Sequence, residues 1–338
     1  MTVKPQLRGA YLLANSLVIL ALMVIMLGAY TRLSDAGLGC PDWPGCYGRV
    51  LAPRSSAEIL APSWQGSSVD VMKAWTEMLH RYFASLLGLL VLILTVLIVK
   101  AKAASQALKA AALALLALVI FQGLLGMWTV TLKLWPVIVM AHLLGGMATI
   151  SLVWWLRLSL KPQPDFKLPN PKTTLQNVAW LTLGLVVLQI FLGGWTSANY
   201  AALVCLDFPG CQGKLWPGFD WHAFDIISAG VPGSPGQPLD LLARISIHMA
   251  HRLGAAVVAA STILLLAWTY RVYKQKKIQQ TIRILLSVLL LQLMLGLINV
   301  LAVCPLPVAV AHNGTAALLL LALLTLIHDL RYAKGLPS

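Results

Sequence analysis

Residues 36–48 read AGLGCPDWPGCYG, and residues 204–213 read VCLDFPGCQG. Aligned from Cys40 to Gly48 and from Cys205 to Gly213, six of nine positions are identical. The shared pattern is Cys, one residue, Asp, an aromatic, Pro-Gly-Cys, one residue, Gly. A motif repeated at an offset of 165 raises the question of how far the duplication extends.

It extends along the whole chain. Gly28-Ala-Tyr-Thr matches Gly193-Gly-Trp-Thr at the same offset of 165. His80-Arg81 matches His251-Arg252 at 171, and Gln122, Gly126 and His142 match Gln292, Gly296 and His312 at 170. The order never changes.

The repeated unit is a membrane unit. Of 338 residues, 59% are hydrophobic and 11% charged, whereas soluble domains carry about 25% charged residues. Apolar runs long enough to span a bilayer, roughly 20 residues each, fall near 10–30, 79–99, 107–130, 137–157, 175–196, 246–270, 284–303 and 308–328. The expected fold is an all-α integral membrane protein whose eight transmembrane helices form two tandem pseudo-symmetric four-helix bundles. An even number of spans per half gives a parallel repeat, with its axis along the membrane normal. The expected division is 1–157, a linker at 158–174 with four prolines and three lysines, and 175–338. The first run is longer than a signal-peptide core and lacks a good cleavage site, so it is read as an uncleaved helix.

Charge sets the orientation. With the N-terminus in the cytoplasm, 16 of the 25 basic residues lie in inner segments and seven in outer ones. Nine of the eleven acids lie outside. Both termini are therefore expected in the cytoplasm. The net charge of +14 is accounted for by this distribution and needs no nucleic acid partner.

Four of the seven histidines, His80, His142, His251 and His312, occupy equivalent places, within one or two turns of the outer ends of the even-numbered helices. Ionisable residues in a membrane segment are expensive and mark functional sites. Two facing imidazoles per half, without thiolate or carboxylate clusters, suit the axial positions of a heme iron. Zinc wants three or four protein ligands. Glycines near these histidines (Gly126, Gly145, Gly146, Gly254) either admit a flat macrocycle or serve close helix packing. Arg81 and Arg252 either pair with heme propionates or snorkel to the headgroups. His222 and His328 carry no expected role. No C-x-x-C-H occurs, which argues against covalent heme. Cys304 reads as a small apolar packing residue.

The halves differ at one position. Glu77 lies three residues before His80; His248 occupies that place before His251. A desolvated carboxylate beside a metal centre can move protons. Its alternative is an exposed acid favoured by the helix dipole. The difference points to one site for chemistry and one for electron transfer.

These segments, GAYTRLSDAGLGCPDWPGC, TEMLHR, AHLLGG, IHMAHRLG and NVLAVCPLPVAVAH, resemble the heme A synthase family over nearly the whole chain. The resemblance implies that heme O, the substrate, binds in the first half between His80 and His142. It implies heme b in the second half between His251 and His312, and Glu77 as the acid beside the substrate. The implied reaction oxidises the C8 methyl of heme O to a formyl by stepwise hydroxylation, and a geminal diol then loses water. Heme A goes to terminal oxidases. Implied partners are the heme O synthase, the oxidase assembly, and quinone or another electron acceptor. The implied location is the bacterial inner membrane.

A di-heme b-type cytochrome exchanging electrons with quinone is the rival; it would keep four histidines without needing Glu77. A heme transporter would bind heme and leave it unchanged. A heme farnesylating enzyme would need Asp-rich inner segments, and only Asp165 and Asp329 lie there. The cysteine loops fall on the outer side, where disulfides persist. Cys40–Cys46 and Cys205–Cys211 are read as bridges in preference to free thiols, capping the outer ends of the two halves. A redox role for one pair is the weaker reading.

Overall fold

The computed structural model describes residues 3–59, 64, 66, 68–161, 167–168, 173–225, 239–332 and 334–335. Eight long helices carry the fold: α1 (Arg8–Leu33), α2 (Val71–Lys100), α3 (Gln106–Thr131), α4 (Pro136–Leu160), α5 (Thr173–Ala198), α6 (Leu241–Val272), α7 (Lys276–Leu301) and α8 (Leu306–Tyr332). All eight are long and apolar enough to cross a membrane, so this is a multi-pass membrane protein. Apart from short 3₁₀ turns, the only other regular structure among the described residues is a two-residue parallel pairing of Lys167–Leu168 with Lys334–Gly335. Most of the 158–174 linker lies outside the described residues.

Helices α2 and α6 begin well before the apolar runs that announce them. Side chains explain this. Asp70 accepts a hydrogen bond from the Lys73 N–H, and Asp240 from the Ala243 N–H, capping the first turns. Helix α7 likewise starts eight residues before the expected 284, because Lys276, Lys277 and Arg283 continue the helix beyond the apolar run; it ends two residues before 303. Proline at the first position starts α4, where its missing N–H costs nothing.

The packing order is a ring within each set of four. Helix α1 packs on α2 and α4, and α3 joins α2 to α4. In the same way α5 packs on α6 and α8, and α7 joins α6 to α8. The two sets meet through α1, α4, α5 and α8. Small residues on α1 (Ala10, Ala14, Ala21) are buried, as expected where helix backbones approach closely. Large apolar side chains such as Leu86, Leu89, Ile93 and Leu97 on α2 are exposed. Their spacing marks one helix face turned to lipid.

The connections repeat with the helices. Every non-glycine residue with positive φ among the described residues has a counterpart at the repeat offset: Asp35 and Tyr200, Tyr47 and Gln212, Lys133 and Val303, Leu134 and Cys304. Left-handed backbone is uncommon outside glycine, so four matched pairs record two copies of one chain path. Cys304 lies in the α7–α8 turn, and its thiol is half-buried and free. Burial raises the pKa of that thiol.

Candidate heme sites and their disulfide caps

The cysteine loops fold as they do because each motif residue has a task. Asp42 accepts from the Tyr47 and Gly48 N–H groups; Asp207 accepts from those of Gln212 and Gly213. Cys46 and Arg49 exchange backbone hydrogen bonds, as do Cys211 and Lys214. A Cβ on Gly45 would overlap the Arg49 carbonyl oxygen, and one on Gly210 the Lys214 carbonyl oxygen. Gly48 and Gly213 have φ of 78° and 76°, which favours glycine. The bridges Cys40–Cys46 and Cys205–Cys211 close the turns, each with Cα atoms 4.8 Å apart. Among these groups Asp207 titrates below the ordinary carboxylate value, held there first by the Gly213 N–H and then by that of Gln212.

Each loop is tied to the helix beneath it by the arginine of the His-Arg pair. Arg81 Nη1 donates to the carbonyls of Asp42 (3.0 Å), Pro44 (3.3 Å) and Gly45 (2.6 Å). Arg252 Nη1 donates to the equivalent three, Asp207, Pro209 and Gly210. Neither guanidinium snorkels away from the protein. The other guanidinium nitrogen shows the difference between the copies. Arg81 Nη2 pairs with Glu77 Oε1 at 2.5 Å, whereas Arg252 Nη2 donates to the Cys205 carbonyl.

Glu77 is buried, with 4% of its surface exposed, which removes the alternative of an exposed acid at a helix start. Its Oε2 accepts from the Cys40 N–H at 2.9 Å. His248 is also buried, and its Nδ1 donates to the Ala201 carbonyl at 2.9 Å. The two residues therefore share a task the sequence does not reveal: each fastens the chain leading into a disulfide loop.

The four repeated histidines face inward below these caps. His80 and His142 bring their rings to 6.5 Å between centroids, with planes at 89°. His80 is the tenth residue of α2 and His251 the eleventh of α6, so these two lie nearer three turns than one or two from their helix starts. Each ring rests against a glycine of the preceding helix. A Cβ on Gly28 would stand 2.9 Å from His80 Cε1, and one on Gly193 2.9 Å from His251 Cε1. For Gly126 and His142 the distance is 3.6 Å, and for Gly296 and His312 it is 3.1 Å. The glycines at these positions seat imidazoles. The Gly145 and Gly254 positions instead admit glutamines: a Cβ there would overlap the side chains of Gln122 and Gln189.

The residues fit an iron porphyrin. Metal–imidazole bonds are about 2.0–2.1 Å and a ring centre lies about 1.1 Å behind its nitrogen, so two axial rings stand roughly 6.3 Å apart, against the 6.5 Å found. The Nδ1 atoms of His80, His142 and His312 are buried without a hydrogen-bond partner, a costly state for rings with only a packing role. No group of three or more His, Cys, Asp or Glu side chains suited to a metal ion occurs among the described residues. His222 is exposed in the turn Trp221–Phe224, and His328 is buried beside Asp329 at the far end of α8.

The chain matches the family model described as COX15-CtaA, cytochrome oxidase assembly protein, over residues 11–324. It is 46% identical over 329 residues to a heme A synthase of Shewanella oneidensis, covering 95% of this chain and 96% of that one. It is 28% identical over 362 residues to a heme A synthase of Granulibacter bethesdensis, covering 99% and 92%. A heme A synthase of Halalkalibacterium halodurans is 26% identical over 320 residues, covering 93% and 94%.

Proposed function

Since this chain belongs to the COX15-CtaA family of cytochrome oxidase assembly proteins, we propose that it is a heme O oxidoreductase that makes heme A. The C8 methyl and one water become a formyl group, four protons and four electrons. The single observation that carries the reading is the His80–His142 pair, set 6.5 Å apart below a disulfide cap. Names borne by relatives support the reaction, and the geometry of this pair supports the reading of where its substrate binds.

In this reading residues 1–157 hold heme O, with His80 and His142 on its iron. Residues 175–338 hold a heme b between His251 and His312, joined to the first half through the linker 158–174. A heme b there would supply a one-electron relay toward quinone or another acceptor. The α1–α4 set carries the chemistry because Glu77 is there. Its carboxylate stands one turn above His80 on α2 and is the base that takes up protons released in the oxidation. The Arg81 guanidinium and Cys40 N–H hold it in place. Arg252 retains a buried Nε without a partner, the donor this reading gives to a propionate. The protein sits in the bacterial inner membrane with both termini in the cytoplasm, so the caps face the oxidising side. Heme O arrives from its synthase, and heme A leaves for a terminal oxidase under assembly.

The test separates the pairs. His80→Ala and His142→Ala each abolish conversion of heme O while the purified protein keeps protoheme. His251→Ala and His312→Ala remove the protoheme. A His80→Ala protein that makes heme A at the wild-type rate would sink the assignment of the substrate site.

A further inference from the structure

The two histidine pairs stand on equivalent scaffolds but are supported differently from behind. Gln189 Nε2, on α5, lies 2.9 Å from His251 Nδ1 and donates to the His251 carbonyl at 2.9 Å. Gln292 Nε2, on α7, lies 3.3 Å from His312 Nε2. In the other set, Nδ1 of His80 has no hydrogen-bond partner, nor has Nε2 of Gln122, the counterpart of Gln292; Nδ1 is unpartnered in both His142 and its counterpart His312, so the difference at Nδ1 lies between His80 and His251.

A matched exchange of residues underlies the difference. The repeat offsets place Val24 where the second copy has Gln189, and Phe83 where it has Gly254. Gly254 admits the glutamine, since a Cβ there would overlap Gln189 Oε1. A polar side chain with a glycine in one copy thus becomes an apolar side chain with a phenylalanine in the other. Val24 offers His80 only its backbone carbonyl, outside hydrogen-bond geometry. Conserving volume does not explain the exchange. Burying an amide costs free energy unless it is bonded, and this amide reaches the ring nitrogen of a candidate ligand.

We infer that Gln189 is a positioning residue that makes the α5–α8 pair retain its heme, and that Val24 in its place leaves the α1–α4 pair an exchanging site. The inference rests on the reading of both pairs as heme ligands. Groups that hold a ligating histidine from its second nitrogen fix the ring and raise its basicity; losing one costs about 10- to 100-fold in affinity. A resident cofactor needs that support. A substrate that must leave as product is better without it. Glutamine suits the task because one planar group carries both a donor and an acceptor. With Nε2 toward the ring, as found, it holds the free imidazole. With Oε1 turned toward the ring, it accepts the Nδ1 proton that a neutral imidazole carries when Nε2 is the ligand.

The experiment measures heme release. Full-length protein is purified in a His80→Ala background, which leaves one intact pair, and its heme is captured by excess apomyoglobin. Gln189→Val and Gln189→Met are compared; the second keeps the length and removes only the amide. Both are expected to release protoheme about 10- to 100-fold faster, with the low-spin two-histidine spectrum still present before release. The pair Val24→Gln with Phe83→Gly, in a His251→Ala background, is expected to slow release from the first site. Release at the background rate from both Gln189 variants, in a protein that loses its heme on His251→Ala, overturns the inference and leaves the ligand reading intact. Full heme content after His251→Ala overturns that reading itself.

Discussion

Replacing Gly28 with alanine adds one methyl group 2.9 Å from His80 Cε1. Carbon atoms in optimal contact are about 3.5–4.0 Å apart. The ring must therefore retreat by about 0.6 Å or more, and it carries one half of the 6.5 Å pair with His142. Overpacking of this kind costs about 1–3 kcal/mol. At about 1.4 kcal/mol per tenfold change in a binding constant, heme affinity at the first site falls roughly 5- to 140-fold. In fold stability the preference of a helix interior for alanine over glycine, about 0.5–1 kcal/mol, offsets only part of that cost. Gly126→Ala is the internal control: its methyl group would meet His142 at 3.6 Å, an ordinary contact, so affinity stays within about twofold. The assay is heme titration of purified protein in a His251→Ala background, followed by the low-spin absorption band, with thermal unfolding in parallel. Wild-type affinity in Gly28→Ala, or equal losses in Gly28→Ala and Gly126→Ala, would refute the seating of imidazoles on glycines.

Other perturbations act on the caps and on Glu77. Arg252→Ala removes the donor shared by three carbonyls of the second loop; reduction of Cys205–Cys211 by dithiothreitol should speed up about tenfold or more, as the loss of charge-assisted bonds implies, and an unchanged rate would contradict the clamp. Because the Asp207 carboxyl titrates below the ordinary value of 3.8 in the folded protein, its support of the loop is full above that value and is lost as pH falls through its lowered pKa. Reduction of the second bridge by a phosphine should therefore accelerate only in strong acid. Asp207→Asn should be fast across the range, and a wild-type profile in that variant would count against the Asp turn. Glu77→Gln keeps the shape of the side chain and removes its charge; heme A formation should drop about 10²- to 10⁴-fold with heme still bound, and full activity would end the proton-acceptor role.

Much of this was legible in the sequence because the chain is written twice. The offsets of 165, 170 and 171 align elements that later prove to share backbone conformations at Asp35 and Tyr200 or at Leu134 and Cys304. Apolar run length located eight helices, since burying backbone in lipid demands them. It misplaced the starts of α2, α6 and α7, because a capped or basic first turn lies outside the apolar stretch and run length ignores it. The cysteine pairing was legible from spacing. The arginines were not: a guanidinium at a helix start reads equally as a lipid or propionate contact, and only the fold brings three loop carbonyls to it. Glu77 and His248 were visible as an asymmetry, yet the chain segments they fasten, at Cys40 and Ala201, are 37 and 47 residues away. Gln189 is invisible to a repeat defined by identities, because its signal is a difference, Val24 with Phe83 against Gln189 with Gly254.

The central claim is that this protein oxidises heme O. Its most direct test is expression with and without a supply of heme O, followed by extraction and mass determination of the hemes. The account predicts heme A, and its hydroxylated precursor, only when heme O is supplied, and neither product with His80→Ala. Protoheme and unchanged heme O alone, from a wild-type protein with both disulfides formed, would contradict it.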